Sequence, residues 1–168
     1  HKELRAELIQ RGHKFRSNCD TEVILKGYIE WGERIVNRLD GMFAFAVWDA
    51  HTRRLFAARD RVGIKPFMYA AVAGGLVFAS TLAPFFALPD FPRQIDPEAL
   101  RDYLAFQTVL APQTFLRDVR QLPPAHSLVF DADNAQLTLT AWWRVPPAPA
   151  AGDSPEHLIA DADAAIRE

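Results

Sequence analysis

Between Gly41 and Asp49 the chain runs Met42-Phe43-Ala44-Phe45-Ala46-Val47-Trp48 without one polar residue. The run is too short for an ordinary helix, and its aromatic content favours a strand. No polar alternation marks a face for water, so the run predicts a strand buried on both faces. A sheet holding such a strand needs a cover on each side. A second sheet and a helical layer are the natural covers.

The neighbouring segments fit that demand. Leu55 to Ala58 returns after a turn at Asp49 to Arg53, and a charged loop follows at Arg59 to Pro66. Phe67 to Ala71 and Leu76 to Ser80 then form a hairpin around Gly74-Gly75, so the four segments read as one antiparallel meander. Upstream, Leu4, Leu8 and Ile9 mark a helix over 2–11 with Gly12 as its C-cap. Asp20 stands at an N-cap position before a helix over 21–31, with Ile24, Tyr28 and Trp31 on its apolar face and Gly32 at its end. Asp96-Pro97-Glu98 opens another helix, with Leu100, Tyr103 and Leu104 as its apolar face. Ser127 to Phe130 and Leu137 to Trp142 make a last hairpin. Leu137-Thr138-Leu139-Thr140 alternates, which solvates one face there. The fold class is α+β. Residues 146–153, rich in Pro and Ala, read as a linker, and Ser154-Pro155-Glu156 starts a further helix. Both ends look like cuts through a longer protein.

With 168 residues, 49% of them hydrophobic, the chain can bury a real core. A net charge of -2 without a basic stripe points away from nucleic acid. The apolar runs are strand-sized, so no membrane span is expected. The single cysteine, Cys19, excludes an internal disulfide and suits a cytoplasmic location.

No complete catalytic set stands out. Cys19 beside Asp20 could be a nucleophile, but an adjacent anion raises a thiol pKa. A small buried cysteine before an N-capping Asp20 is the simpler reading. No histidine pairs with a second ligand at metal spacing, so no metal is expected. Arg59-Asp60-Arg61 reads as a salt-bridged loop rather than an anion site, and Gly74-Gly75 as a turn rather than a phosphate loop. His126 is a structural turn residue, and Trp142-Trp143 pack at a strand end.

Four strings nonetheless resemble one family in order and spacing. Cys19-Asp20-Thr21-Glu22-Val23-Ile24-Leu25 is similar to the Ser-Asp-Thr-Glu-Val-Ile-Leu run of class II glutamine amidotransferases. Leu39 to Ala46 resembles the central strand of their asparagine-synthetase branch, and Arg59 to Pro66 its Arg-Asp-x-x-Gly-Ile-Lys-Pro loop. Leu122-Pro123-Pro124-Ala125-His126, with Trp142-Trp143 later, resembles its Leu-Pro-Pro-Gly-His hairpin and closing Tyr-Trp.

That resemblance implies an N-terminal-nucleophile hydrolase-like αββα four-layer sandwich, lacking its N-terminal strands. It divides the chain into a partial amidotransferase domain over 1–145, a linker over 146–153 and the start of a synthetase domain over 154–168. The implied parent activity is hydrolysis of glutamine to supply ammonia for ATP-dependent amidation of aspartate. Asp20 matches the carboxylate that binds the α-amino group of glutamine. The family's nucleophilic cysteine, its carboxylate-holding arginine and its oxyanion Asn-Gly map upstream of His1, so no catalytic residue is assigned here and this segment alone is expected to be inactive. Cys19 cannot substitute, because an internal residue has no free α-amine. No cofactor is expected in this segment; ATP and Mg belong to the synthetase domain. Met68 and Thr81 depart from the family's usual Tyr and Glu. The alternative is a non-catalytic scaffold domain of a β-lactam-synthetase-like enzyme. Uncovered strand edges also imply self-association.

Overall fold

The computed structural model describes residues 1–147 together with 159, 163 and 164. The expected helix over 154–168 and the linker past 147 otherwise lie outside the described residues. Helix α1 spans Lys2–Gln10 and α2 spans Asp20–Trp31, followed by a 3-10 helix over Gly32–Arg38. Strands β1 (Ala44–Asp49), β2 (Arg54–Arg59), β3 (Met68–Val72) and β4 (Gly75–Ala79) come next. Short α3 (Ala83–Phe86) and α4 (Pro97–Phe106) precede β5 (Arg120–Gln121), β6 (His126–Asp131) and β7 (Gln136–Ala141). Among the described residues no helix is long and apolar enough to cross a membrane.

The helix ends follow local chemistry. At the end of α1 the Gly12 N–H donates to the Ile9 carbonyl at 2.9 Å and the His13 N–H to the Leu8 carbonyl at 3.0 Å, a Schellman closure. At the start of α4 the Asp96 carboxylate accepts from the Glu98 and Ala99 N–H groups at 2.9 and 3.4 Å, as its sequence position implies.

The expected single meander is instead divided between two sheets. One sheet has the order β1-β2-β6-β7 and the other β4-β3-β5, all neighbours antiparallel. Two hairpins that follow each other in sequence thus part company at the loop over 60–67. Phe56 sits at the centre of the first sheet, opposite Val47 on one side and Val129 on the other.

Three clusters of buried side chains lie one beyond another. Leu4, Leu8, Val23 and Ile35 from the helical segment meet Phe56 of the first sheet. Leu55, Ala57 and Leu128 of the first sheet meet Phe67, Tyr69 and Leu122 from the second. On the far side of the second sheet, Ala70 meets Phe85, Phe91, Leu116 and Val119. β1 contributes to two of these clusters. Phe43 and Phe45 pack toward the helices, and Ala44 and Ala46 toward the second sheet. Trp142 closes the first sheet at a strand end, its ring stacked on Phe43 at 6.0 Å between centroids.

Two sequence expectations change. The run is not fully buried: Met42, just before β1, is 59% exposed, and Trp48, within it, 50%. Its faces are covered, but β1 ends the strand order, and the described residues place no strand against its outer edge. On α4 the expected apolar face does not enter the core. Leu104 is 75% exposed, Leu100 and Tyr103 are also exposed, and Ala99 is the buried position. Amphipathic spacing identifies a face but does not say that this chain supplies its cover.

Candidate functional site

The N-terminal turn of α2 is organised by Glu22, not by Asp20. The Glu22 carboxylate reaches back to accept from the Arg16 and Ser17 N–H groups at 2.9 and 2.8 Å and from the Ser17 hydroxyl at 2.7 Å. These bonds, led by the Arg16 N–H and the Ser17 hydroxyl, lower the Glu22 pKa to about 2 from an ordinary 4.5. The N-cap is Cys19, with extended backbone and no side-chain cap bond, so Asp20 is the first helical residue. The Cys19 side chain is exposed, against the expectation of burial. A thiol caps poorly, and Glu22 two positions past Asp20 does the tethering.

This tether has a pH signature. The folded pKa lies below the unfolded one, so its contribution is complete above about pH 4.5 and is lost as pH falls toward 2. In an NMR titration the Arg16 and Ser17 amide shifts are expected to move with a midpoint near 2. A midpoint near 4.5 would mean the bonds do not form in solution.

Freed from capping, Asp20 is available for other work. Its Oδ1 accepts from the Thr21 N–H at 2.8 Å and lies 3.4 Å from the Cys19 sulfur. The first turn of a helix favours a negative charge at this position.

The second component is the loop after β2. Asp60 is 1% exposed and Arg59 7%. The Asp60 carboxylate accepts from the N–H groups of Ile64 at 2.9 Å, Lys65 at 3.0 Å and Val62 at 3.3 Å. Burial pushes its pKa up, but the N–H groups of Lys65, Ile64, Val62 and Gly63 outweigh that and leave it below the usual carboxylate range. The Arg59 guanidinium donates to the carbonyls of Gly63 at 2.6 Å, Lys65 at 2.7 Å and Leu122 at 2.7 Å. The sequence suggested a salt-bridged loop. Arg61 bears this out by pairing with Asp40 at 2.6 Å, whereas the side chains of Arg59 and Asp60 are hydrogen-bonded to main-chain groups.

Gly63 makes the turn possible. Its φ is +69°, and a Cβ there would lie 2.9 Å from the Pro124 Cγ and 3.1 Å from the Arg59 Cζ. Gly63→Ala is therefore expected to cost about 2–3 kcal/mol, from left-handed backbone plus overpacking. Urea unfolding checks this; an unchanged midpoint would show that the loop is laxer than its bonds imply.

α2, β1 and this loop line an open cavity of about 490 Å³. Its wall includes Asp20 and Ile24, every residue from Met42 to Trp48, Lys65, Pro66 and Ser80. Lining by successive strand residues means that the cavity runs along the β1 edge rather than over one face. Asp20 and Lys65 are the two charged residues of this lining, and Cys19 lies outside it. Asp20, the position singled out in the sequence, lies in this wall, and so do Lys65 and Ser80, which were not singled out. His13, His51 and His126 stand away from this lining, and the described residues contain no group of three His, Cys, Asp or Glu able to hold a metal ion. His126 bonds the Pro124 carbonyl at 2.8 Å, as a turn residue should.

A family model described as a glutamine amidotransferase domain matches residues 1–143. The chain is 40% identical over 144 residues to asparagine synthetase [glutamine-hydrolyzing] 3 of Bacillus subtilis, covering 85% of this chain and 23% of that protein. It is 43% identical over 145 residues to a putative asparagine synthetase [glutamine-hydrolyzing] of Mycobacterium bovis, covering 84% and 22%. The chain therefore spans less than a quarter of the length of these relatives. Among solved structures, the glutamine phosphoribosylpyrophosphate amidotransferase of B. subtilis superposes with a TM-score of 0.54 at 19% identity, over 84% of this chain and 26% of that one, which is a likeness of fold. The chain belongs to the glutamine amidotransferase domain family and is related to the glutamine-hydrolysing asparagine synthetases.

Proposed function

We propose that the cavity beside β1 receives glutamine, and that the protein carrying this domain uses the released ammonia for ATP-dependent amidation of aspartate. The observation that carries the reading is the placement of Asp20. A carboxylate relieved of capping duty, on the first turn of α2, lines a cavity that also presents a free strand edge. A carboxylate opposite an ammonium group forms charge-assisted hydrogen bonds and selects a free amino acid over an amide-linked one. The names of the relatives support glutamine as the nitrogen donor and asparagine as the product.

The nucleophile of this reading is an N-terminal cysteine whose own α-amine is the base. Cys19 is internal and outside the cavity wall, so it is assigned no catalytic role. ATP and magnesium belong to a separate synthetase domain. The fuller fold is an αββα sandwich in which a further strand, on the N-terminal side, completes the first sheet at β1. The three stacked core clusters and the open edge support this.

The decisive assay uses the full-length protein with glutamine, ATP and aspartate. Asparagine, glutamate and AMP are expected together. Glutamate release without any aspartate-dependent AMP would sink the asparagine reading and leave a glutaminase of other purpose. Absence of all three products would favour the scaffold alternative. Residues 1–168 alone are expected to release no glutamate and to self-associate through the β1 edge. Light scattering should show mass rising with concentration, and Trp48→Lys, at the exposed end of β1, should suppress it; a monomer at all concentrations would count against edge pairing.

A further inference from the structure

We infer that Lys65 is a second pole of amino-acid recognition in this cavity, reading the α-carboxylate of the substrate whose ammonium Asp20 reads. The inference rests on the glutamine reading and deepens it. Lys65 and Asp20 are the two charged residues of the wall, and they carry opposite signs. A zwitterionic head group offers a cation and an anion on one carbon, and a wall with one of each is its complement.

The way Lys65 is held supports a recognition role. Its N–H is fixed by the Asp60 carboxylate at 3.0 Å and its carbonyl by the Arg59 guanidinium at 2.7 Å. Two buried charges thus pin the main chain of one residue from both ends. Pro66 follows at once and removes a further degree of backbone freedom. The Lys65 residue itself stays exposed, and the described ion pairs do not include it. A main chain fixed this firmly under an unengaged ammonium matches what binding requires: the anchor is ordered in advance, and the charge remains available. The resemblance assigns the α-carboxylate to an upstream arginine; Lys65 adds a second cation on the same group.

The test measures binding to the full-length protein by calorimetry with three probes. L-glutamine carries both poles, its α-methyl ester lacks the carboxylate charge, and 4-carbamoylbutanoate lacks the ammonium. Lys65→Met is expected to shrink the preference for glutamine over the ester by about tenfold while leaving the preference over 4-carbamoylbutanoate intact. Asp20→Asn should do the reverse, and Lys65→Arg should restore most of the ester discrimination. The thermal midpoint of Lys65→Met should match the parent, because the bonds at this position are made by its main chain. If Lys65→Met discriminates the ester as well as the parent does, while Asp20→Asn loses ammonium selectivity, Lys65 is only a wall residue and the glutamine reading stands. If the parent protein binds none of the three probes, the glutamine reading falls and takes this inference with it.

Discussion

Asp60→Ala is expected to destabilise the domain by about 3–5 kcal/mol, the scale for removing one member of a buried charged network. Three main-chain N–H groups lose a charged acceptor, and each such bond contributes about 1.5–3 kcal/mol before relaxation. The Arg59 guanidinium is left buried with no anion beside it, although its three carbonyl bonds remain. Asp60 also bonds through its main chain, accepting from the Ala125 N–H at 2.9 Å and donating to the Phe43 carbonyl at 2.9 Å, so the loop ties β1 to the segment entering β6. Asp60→Asn keeps one acceptor and the shape, and should cost less than the alanine variant. The Arg53–Asp133 pair is the contrast: its side chains are 59% and 64% exposed, and Asp133→Ala should cost under about 1 kcal/mol. Urea midpoints at constant m-value decide between these outcomes. A loss under about 1 kcal/mol for Asp60→Ala would show that solvent enters the loop and replaces its acceptor.

The same loop shows why parts of the molecule could be read from the sequence and parts could not. Hairpins are local, and Gly74-Gly75 or the turn at Asp49 to Arg53 announces them within a few residues. Which hairpins share a sheet depends on where the chain goes between them. That depends here on two buried charges meeting main-chain groups as far away as Leu122. An Arg-Asp-Arg string reads as ion pairing because charge is visible in a sequence and burial is not. The cap at Asp96 was legible since its side chain meets its own next turn. The same argument misplaced Asp20 by one residue, because Glu22 reached backward to the preceding segment instead. The run at Met42 to Trp48 was rightly read as strand-forming, although the strand begins at Ala44 and the run is not buried throughout. Its free edge was invisible, since side-chain pattern reports faces and carries no information about hydrogen-bonded neighbours. In the site, Asp20 was reached through family resemblance alone. Lys65 escaped notice because a loop sequence does not say which residues of other elements will share a cavity wall with it.

For glutamine use by the full-length protein, Asp20→Asn is expected to lower kcat/KM about 10- to 100-fold, the loss of one charge-assisted contact of roughly 1.5–3 kcal/mol. Asparagine is the right replacement because its side-chain carbonyl can still accept the Thr21 N–H that Oδ1 now takes at 2.8 Å. Its size and helix-start preference are also similar, so the change removes charge with little else. The fall should sit mainly in KM, since an ammonium contact made equally in the bound and transition states is uniform binding. Activity with free ammonia in place of glutamine should be untouched, because that nitrogen source bypasses the cavity. Cys19→Ser tests the neighbouring thiol: glutamine use should persist, and the helix start should gain about 0.5–1 kcal/mol from a better cap. A different pattern would reassign the site. If Cys19→Ser abolished glutamine use while Asp20→Asn left it intact, the thiol would be the functional group and the carboxylate only its neighbour. If both variants kept glutamine activity, the cavity beside β1 would have to be surrendered as the glutamine site.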